Sequence, residues 1–452
     1  MKKLLFSYES LFTSILLIFL TSCISNDAGE DTDGPTKQGF PEVTTRTVIV
    51  SEEGVSAQCG GEVVSTGDSE IISRGICWSK IENPTIDDYI TKSGNGIGDF
   101  TSDIENLEVN TRYYLRAYAT NKFGTSYGGE VDFFTAKIHR GDVTLSSQAE
   151  VDAFGAKNYL TIIGDVLIGK TGGSDITNLK ALNGLNQIRG DFYIGKWKKG
   201  NPLLKNLDGL EYLALIDSYY LNDYVPKRLS INFNDNLENI DALKGLGNFD
   251  GLLSISDNNK LQDIDAFINL TQLYDVHIFD NPSLKNLNGL SNITVTNGIS
   301  LGSNPLISSL GNIKASSSIG AIIILNNNNL SDISSLEDVE NIKYSFWLIN
   351  NPNLKDVSNF KSLKTVGRTM ELSGLGIINL NTFSSLTSVA KNYTPDSASD
   401  RPHLEISDNK SLNDLCGIKT LFKTDFKGGI VIKSNAYNPS KEDIVGDKCK
   451  KE

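Results

Sequence analysis

Histidine, methionine, tryptophan and cysteine are all scarce in this chain of 452 residues, which holds three, two, three and five of them respectively. That scarcity excludes a good deal of chemistry. His139, His277 and His403 lie far apart in the sequence, so no pair has zinc-site spacing, and no nucleophile elbow is present. Gly172-Gly173 and Gly94-Asn95-Gly96 open no helical pattern, which makes them turn glycines and not phosphate cradles. No cofactor and no metal is expected from these residues. Positive charge is short as well: 42 Lys and Arg stand against 55 Asp and Glu, for a net charge of −13. A surface this acidic repels phosphate backbones and argues against a nucleic-acid partner. Long apolar runs are missing too, since Leu11 to Leu20 is too short for a stable membrane span.

That short run does have an address-like setting. Lys2 and Lys3 precede it and small residues follow it, which predicts a signal peptide over residues 1–22. Leu20-Thr21-Ser22-Cys23 resembles the lipobox of bacterial lipoproteins. The resemblance implies lipid on Cys23 and a membrane partner through that anchor. Asp27, Glu30, Asp31 and Asp33 follow with almost nothing apolar before Phe40, so residues 23–40 read as an acidic flexible tether. Acidic residues in that place also resemble the signal by which some Gram-negative bacteria set lipoproteins on the outer face of the outer membrane. In such a compartment Cys59 with Cys77 and Cys416 with Cys449 are expected to pair as disulfides, although buried thiols would read the same.

From 41 to 136 short alternating runs are separated by Gly, Asn, Asp or Pro: Val48 to Val50, Val55 to Val64, Ile71 to Ser79, Asp99 to Ile104, Arg112 to Asn121 and Glu130 to Thr135. This spacing predicts a β-sandwich, with Trp78 in its core. Leu107, Val109, Thr111, Tyr113, Leu115, Ala117 and Ala119 resemble the last third of a fibronectin type III domain, with Tyr113 in the place of its corner tyrosine and Val109 where proline is usual. Cys59-Gly60-Gly61 and Arg74-Gly75-Ile76-Cys77-Trp78-Ser79 are similar to the form found in bacterial surface proteins, where it serves as a spacer.

Beyond the hinge, residues 141–452 carry a period. Asn234, Asn258, Asn281, Asn304, Asn327 and Asn351 are separated by 24, 23, 23, 23 and 24 residues. Asn201 and Asn409 extend the register at longer spacings, and Gly173 and Gly374 are placed at the same point in repeats without the asparagine. Apolar residues follow each anchor by threes, as in Leu261, Ile264, Phe267, Leu270 and Leu273. A strict three fits neither an α-helix nor a strand and suits 3₁₀-like turns about one apolar axis. Before each anchor an alternating strand points Leu253 and Ile255, Val276 and Ile278, or Phe346 and Leu348 inward. The fold class expected is therefore mainly β: a sandwich, then a β-solenoid with one parallel sheet and a structural asparagine ladder. The order strand, Asn, two residues, Leu resembles the right-handed receptor L domain, a relative of leucine-rich repeats, as well as bacterial leucine-rich surface proteins.

The outward strand positions gather His277, Phe279, Ile323, Leu325, Trp347 and Ile349 into an apolar and aromatic surface, which a solvated sheet face normally lacks. A protein or glycan ligand at that face, bound without catalysis, is the function expected. Glu371 and Glu405 on neighbouring repeats offer the rival, a polysaccharide-active enzyme with carboxyls about 5 Å apart. A purely structural surface protein is the third reading. Arg140-Gly141-Asp142 spells an integrin tripeptide in the hinge, and Asp396-Ser397-Ala398 resembles a bacterial O-glycosylation motif.

Overall fold

The computed structural model describes residues 39–451 apart from 197, 218–225, 248, 391–402, 425 and 427. The signal segment, Cys23, nearly all of the tether and Asp396-Ser397-Ala398 lie outside the described residues. The protein is mainly β, and its largest element is a parallel sheet of 13 strands. The chain divides into two compact units, one holding residues up to Thr47 with Cys59–Ser102 and Tyr114–Val131, the other holding Val48–Gln58, Asp103–Tyr113 and everything from Asp132 on.

The N-terminal strands form two antiparallel sheets. One contains Glu42–Thr45, Ile49–Val50, Ala57–Ser65 and Gly98–Ile104; the other contains Ser73–Ser79, Tyr89–Ile90, Arg112–Asn121, Gly124–Tyr127 and Val131–Phe134. Alternation along the longest strand buries Tyr113, Leu115, Ala117 and Ala119. Gly61 admits no side chain, because a Cβ there would sit 2.6 Å from both the Ala117 methyl and the Thr44 carbonyl oxygen. Trp78 is half-buried and stacks on Tyr89 at 5.8 Å.

The expected Cys59–Cys77 disulfide is not formed. The two cysteines are buried thiols on strands of different sheets, and each donates to a different carbonyl: Cys59 to Ser102, Cys77 to Pro84. Burial raises the Cys77 thiol to about 11. Cys416 and Cys449 are joined in a disulfide, with Cα atoms 4.9 Å apart.

The parallel sheet runs in chain order through Val143–Leu145, Val166–Ile168, Phe192–Ile194, Arg228–Asn232, Leu252–Ser256, Gln272–Phe279, Thr294–Gly302, Ala321–Leu325, Ser345–Ile349, Thr369–Ser373, Leu404–Ser407 and Ile430–Lys433. Lys314–Ala315 pairs at the side of Thr294–Gly302. Each strand is in register with its counterpart one repeat away, so inward residues stack on inward residues: Ile255 on Ile278, Ile278 on Leu301, Ile324 on Leu348. Leu261, Ile264, Phe267, Leu270 and Leu273 are fully buried, and Asp265–Phe267 is a 3₁₀ turn, as the period of three requires. The expectation of a single parallel sheet is too simple. Two further four-stranded parallel sheets form, one from Ile138–Arg140 to Leu215–Ile216 and one from Ser318–Ile319 to Ser388–Val389. Residues such as Ile342 and Val366, which continue the apolar threes, sit in short extended pieces that pair with the next repeat.

The anchor asparagines Asn201, Asn234, Asn258, Asn281, Asn304, Asn327, Asn351 and Asn409 are all fully buried. Their Nδ2 groups donate to inner carbonyls of the preceding strand, Asn258 to Ile231 at 2.7 Å, Asn304 to Ile278 at 2.9 Å and Asn351 to Ile324 at 2.9 Å. From Asn258 on, their Oδ1 atoms accept the backbone N–H of the ladder residue before, as Asn351 does from Asn327 at 2.9 Å, while Asn234 Oδ1 accepts from Asn201 Nδ2 at 3.0 Å. Such a residue satisfies groups that the turn leaves unpaired inside a dry core. From Asn234 on, the residue before each anchor is left-handed: Asp257, Asp280, Ser303, Asn326 and Asn350 have φ between 54° and 56°, Asp408 has 57° and Phe233 has 61°. Short polar side chains tolerate that region, which is why Asp, Ser and Asn fill the column except at Phe233.

Two repeats sit one residue away from the expected register. Gly374, with φ 65°, takes the left-handed place, and Leu375 takes the ladder place, its N–H donating to Asn409 Oδ1 at 2.8 Å. Ser174, not Gly173, meets Asn201, through Oγ at 2.7 Å from Oδ1. The ladder also continues past Asn409 to Asn435, which accepts from Asn409 Nδ2 at 3.1 Å and donates to Ile406 O at 2.9 Å. A second column of side chains caps the 3₁₀ corners. Asp332 accepts the N–H of Ser334 at 2.9 Å, Asp356 that of Ser358 at 2.8 Å and Asp414 that of Cys416 at 2.9 Å.

Candidate functional site

The outward rows follow from strand register. In the first row Ser254, His277, Ser300, Ile323, Trp347, Glu371 and Glu405 are consecutive partners across the sheet. In the second, Ser256, Phe279, Gly302, Leu325, Ile349, Ser373 and Ser407 are partners in the same way. His277, Phe279, Ile323, Leu325, Trp347 and Ile349 thus occupy one surface, each half-buried. Ser300 and Gly302 interrupt the apolar character between the strands of Phe279 and Leu325.

The interruption shapes the aromatic ring next to it. A Cβ at Gly302 would lie 2.5 Å from Cδ1 and Cε1 of Phe279, so the ring leans over the glycine and lies along the sheet. Trp347 is laid over in a similar sense, because its Nε1–H donates to Thr369 Oγ1 on the adjacent strand at 2.9 Å. Ser345 Oγ and Thr369 Oγ1 are 3.0 Å apart and complete that small network.

Polar groups stand at the border. Asp275 accepts from Asn297 Nδ2 through both oxygens, at 2.9 and 3.1 Å. Burial raises the Asp275 carboxyl, and the Asn297 amide and the charges of His277 and Arg228 oppose the rise. Burial lowers His277; Asp275 pulls it back up and Arg228 pushes it further down. Asp275, Asn297 and Thr369 did not enter the sequence reading. Asp275 and Thr369 lie two residues before the first outward row, so carrying the alternation one step further reaches both.

Glu371 and Glu405 are direct register partners on adjacent strands. Glu405 accepts from Ser407 Oγ at 3.0 Å and pairs with Lys433 at 3.5 Å. Residues 391–402, between these two strands in sequence, lie outside the described residues. The three histidines are dispersed: His139 packs edge-on to Phe154 at 5.5 Å, and His403 Nδ1 accepts from the Gly429 N–H at 3.0 Å. Among the described residues no group of three His, Cys, Asp or Glu is arranged to hold a metal. Arg140-Gly141-Asp142 is exposed but built into the parallel pairing, with the Gly141 N–H on Ile163 O at 2.9 Å and Asp142 accepting from the Asp165 N–H at 2.9 Å. No helix among the described residues is long and apolar enough to cross a membrane. No protein-family model matches this chain, and no curated protein matches its sequence.

Proposed function

We infer that this chain is a lipid-anchored outer-membrane surface protein whose parallel repeat recognises a protein or glycan ligand through its outward strand face, without catalysis. The observation that carries the reading is the pair of outward rows in which Phe279, Ile323, Leu325, Trp347 and Ile349 share one surface. Inward apolar residues follow from packing, whereas outward ones have no such cause in a solvated sheet. The anchor rests on Cys23 and the acidic residues behind it. The antiparallel unit is read as a fibronectin type III-like spacer, supported by the Glu108 N–H donating to the Tyr113 hydroxyl at 3.1 Å, the contact of a tyrosine corner. The repeat is read as a right-handed solenoid of receptor L-domain kind, supported by its register of about one strand per 23 residues.

A screen of host proteins and glycans against the full chain tests this function. Binding that vanishes with Trp347→Ala and survives Glu371→Gln is the expected result. Shortening of a glycan that requires Glu371 would replace this reading with the enzymatic one. The anchor is tested separately: Cys23→Ser is expected to move the protein from the membrane fraction to the soluble one, and unchanged fractionation would overturn it.

A further inference from the structure

We propose that the occupant of this face is an extended, uncharged glycan, gripped by Phe279 and Trp347 as two separate stacking sites. The proposal rests on the recognition reading above and names its ligand class. Its basis is the attitude of the two rings. Phe279 leans over Gly302, where a Cβ would come within 2.5 Å of the ring, and the Trp347 indole is tied across the neighbouring strand by its bond to Thr369. Rings laid along a sheet present flat π-surfaces, which suit the C–H faces of a sugar ring, whereas an apolar side chain from a protein partner seeks a pocket.

Spacing sets the form of the ligand. The strands of Phe279 and Trp347 are separated by those of Thr294–Gly302 and Ala321–Leu325, and the two residues lie in different outward rows, so they stand about 16 Å apart on an oblique line at ordinary strand spacing. A monosaccharide cannot touch both rings; a short chain of sugars lying across the strands touches both. Hydroxyl-binding groups share the outward face with the rings: Asp275, held by Asn297, stands four residues before Phe279 on the same strand, and Thr369 and Ser345 lie at the Trp347 end. The charge of the border favours neutral over sulfated or uronate-rich glycans: Asp275, Glu371 and Glu405 outnumber Arg228 and Lys433 on or beside the rows, and the chain as a whole carries −13.

The test titrates the full chain with neutral linear glucan, mannan and N-acetylglucosamine oligomers, from disaccharide to hexasaccharide, and with heparin as the anionic probe. Affinity is expected to rise with length until both rings are spanned and then to level off, with heparin failing to bind. Trp347→Ala and Phe279→Ala should each weaken the longest ligand by about tenfold or more. Gly302→Val, which keeps both rings but displaces Phe279, should act like Phe279→Ala, while Lys433→Ala should leave affinity unchanged. Circular dichroism and urea midpoints confirm that each variant is folded. Heparin binding best, no oligomer binding, or binding indifferent to both aromatic variants would overturn the proposal. A protein ligand lost with Trp347→Ala while every oligomer fails would refute the glycan and keep the recognition face.

Discussion

The repeats from Arg228 to Asn351 and those from Thr369 onward share one interior and differ outside. Inward, Ile324 and Leu348 are fully buried in the first group, and Leu372 and Ile406 equally so in the second. Outward, the first group shows Phe279, Leu325 and Ile349 among Asn232, Ser256 and Gly302, where the second shows Ser373, Ser407 and Lys433. The ladder differs in step with this, being unbroken through Asn234, Asn258, Asn281, Asn304, Asn327 and Asn351 and then interrupted by Leu375. Stacking dictates inward residues in every repeat, so they carry no functional information. Outward residues are released from that demand, and a local departure from polarity there is informative.

The largest way to strain the contrast is to cut the ladder where it is continuous. Asn304→Ala removes the bond to Ile278 O and the acceptor for the Asn281 N–H and Nδ2, all buried, while Gly302 O keeps the Asp280 N–H. At about 1 to 2 kcal/mol for each buried group left unsatisfied, the loss should be about 4 kcal/mol, read from the urea midpoint at constant slope. Reducing or removing Cys416–Cys449, which closes a loop of 33 residues, should cost about 3 kcal/mol. That loss should show as faster amide exchange confined to the last repeats. Asn435→Ala, at the half-buried end of the ladder, should cost only about 1 kcal/mol. A cost equal to that of Asn304→Ala would erase the distinction between middle and end.

Smaller effects separate the outer faces. Burial depresses His277 from its ordinary 6.5, so the unfolded chain takes up a proton before the folded one does. Stability therefore falls as pH drops below 6.5 toward the depressed value and is fully present above 6.5. His277→Gln should flatten that part of the stability profile. Lys433→Ala removes an ion pair whose lysine is largely exposed, and its effect should stay within about 0.5 kcal/mol and vanish in high salt.

What the sequence made legible follows the same division. Asn234 through Asn351 stand out because their spacing hardly varies, and the outward rows follow once the strand before each anchor is found. The longer segments before Asn201 and Asn409 hide the register, which is why spacing alone points to Gly173 and Gly374 where Ser174 and Leu375 belong. Asn435 lies at the end of a repeat closed by the terminal disulfide and lacks the leucine that marks the others. Lateral contacts were out of reach: Phe279 over Gly302, Trp347 on Thr369 and Asp275 with Asn297 join residues 22 or 23 positions apart, and no local pattern encodes them. For the same reason Cys59 and Cys77 looked like a pair in sequence although they belong to different sheets.

The head-to-tail amides have a consequence for how such a chain changes size. Within the unbroken run, each ladder asparagine offers its Oδ1 to the N–H and its Nδ2 to a carbonyl of the repeat before it, and its own N–H to the Oδ1 of the repeat after it. Duplicating or deleting one stretch of about 23 residues would therefore restore each bond with a new neighbour and alter the outward strand face by one strand width, about 4.8 Å. Length is thus a heritable dial, turned by whole repeats, and Leu375 marks a joint on either side of which it turns independently.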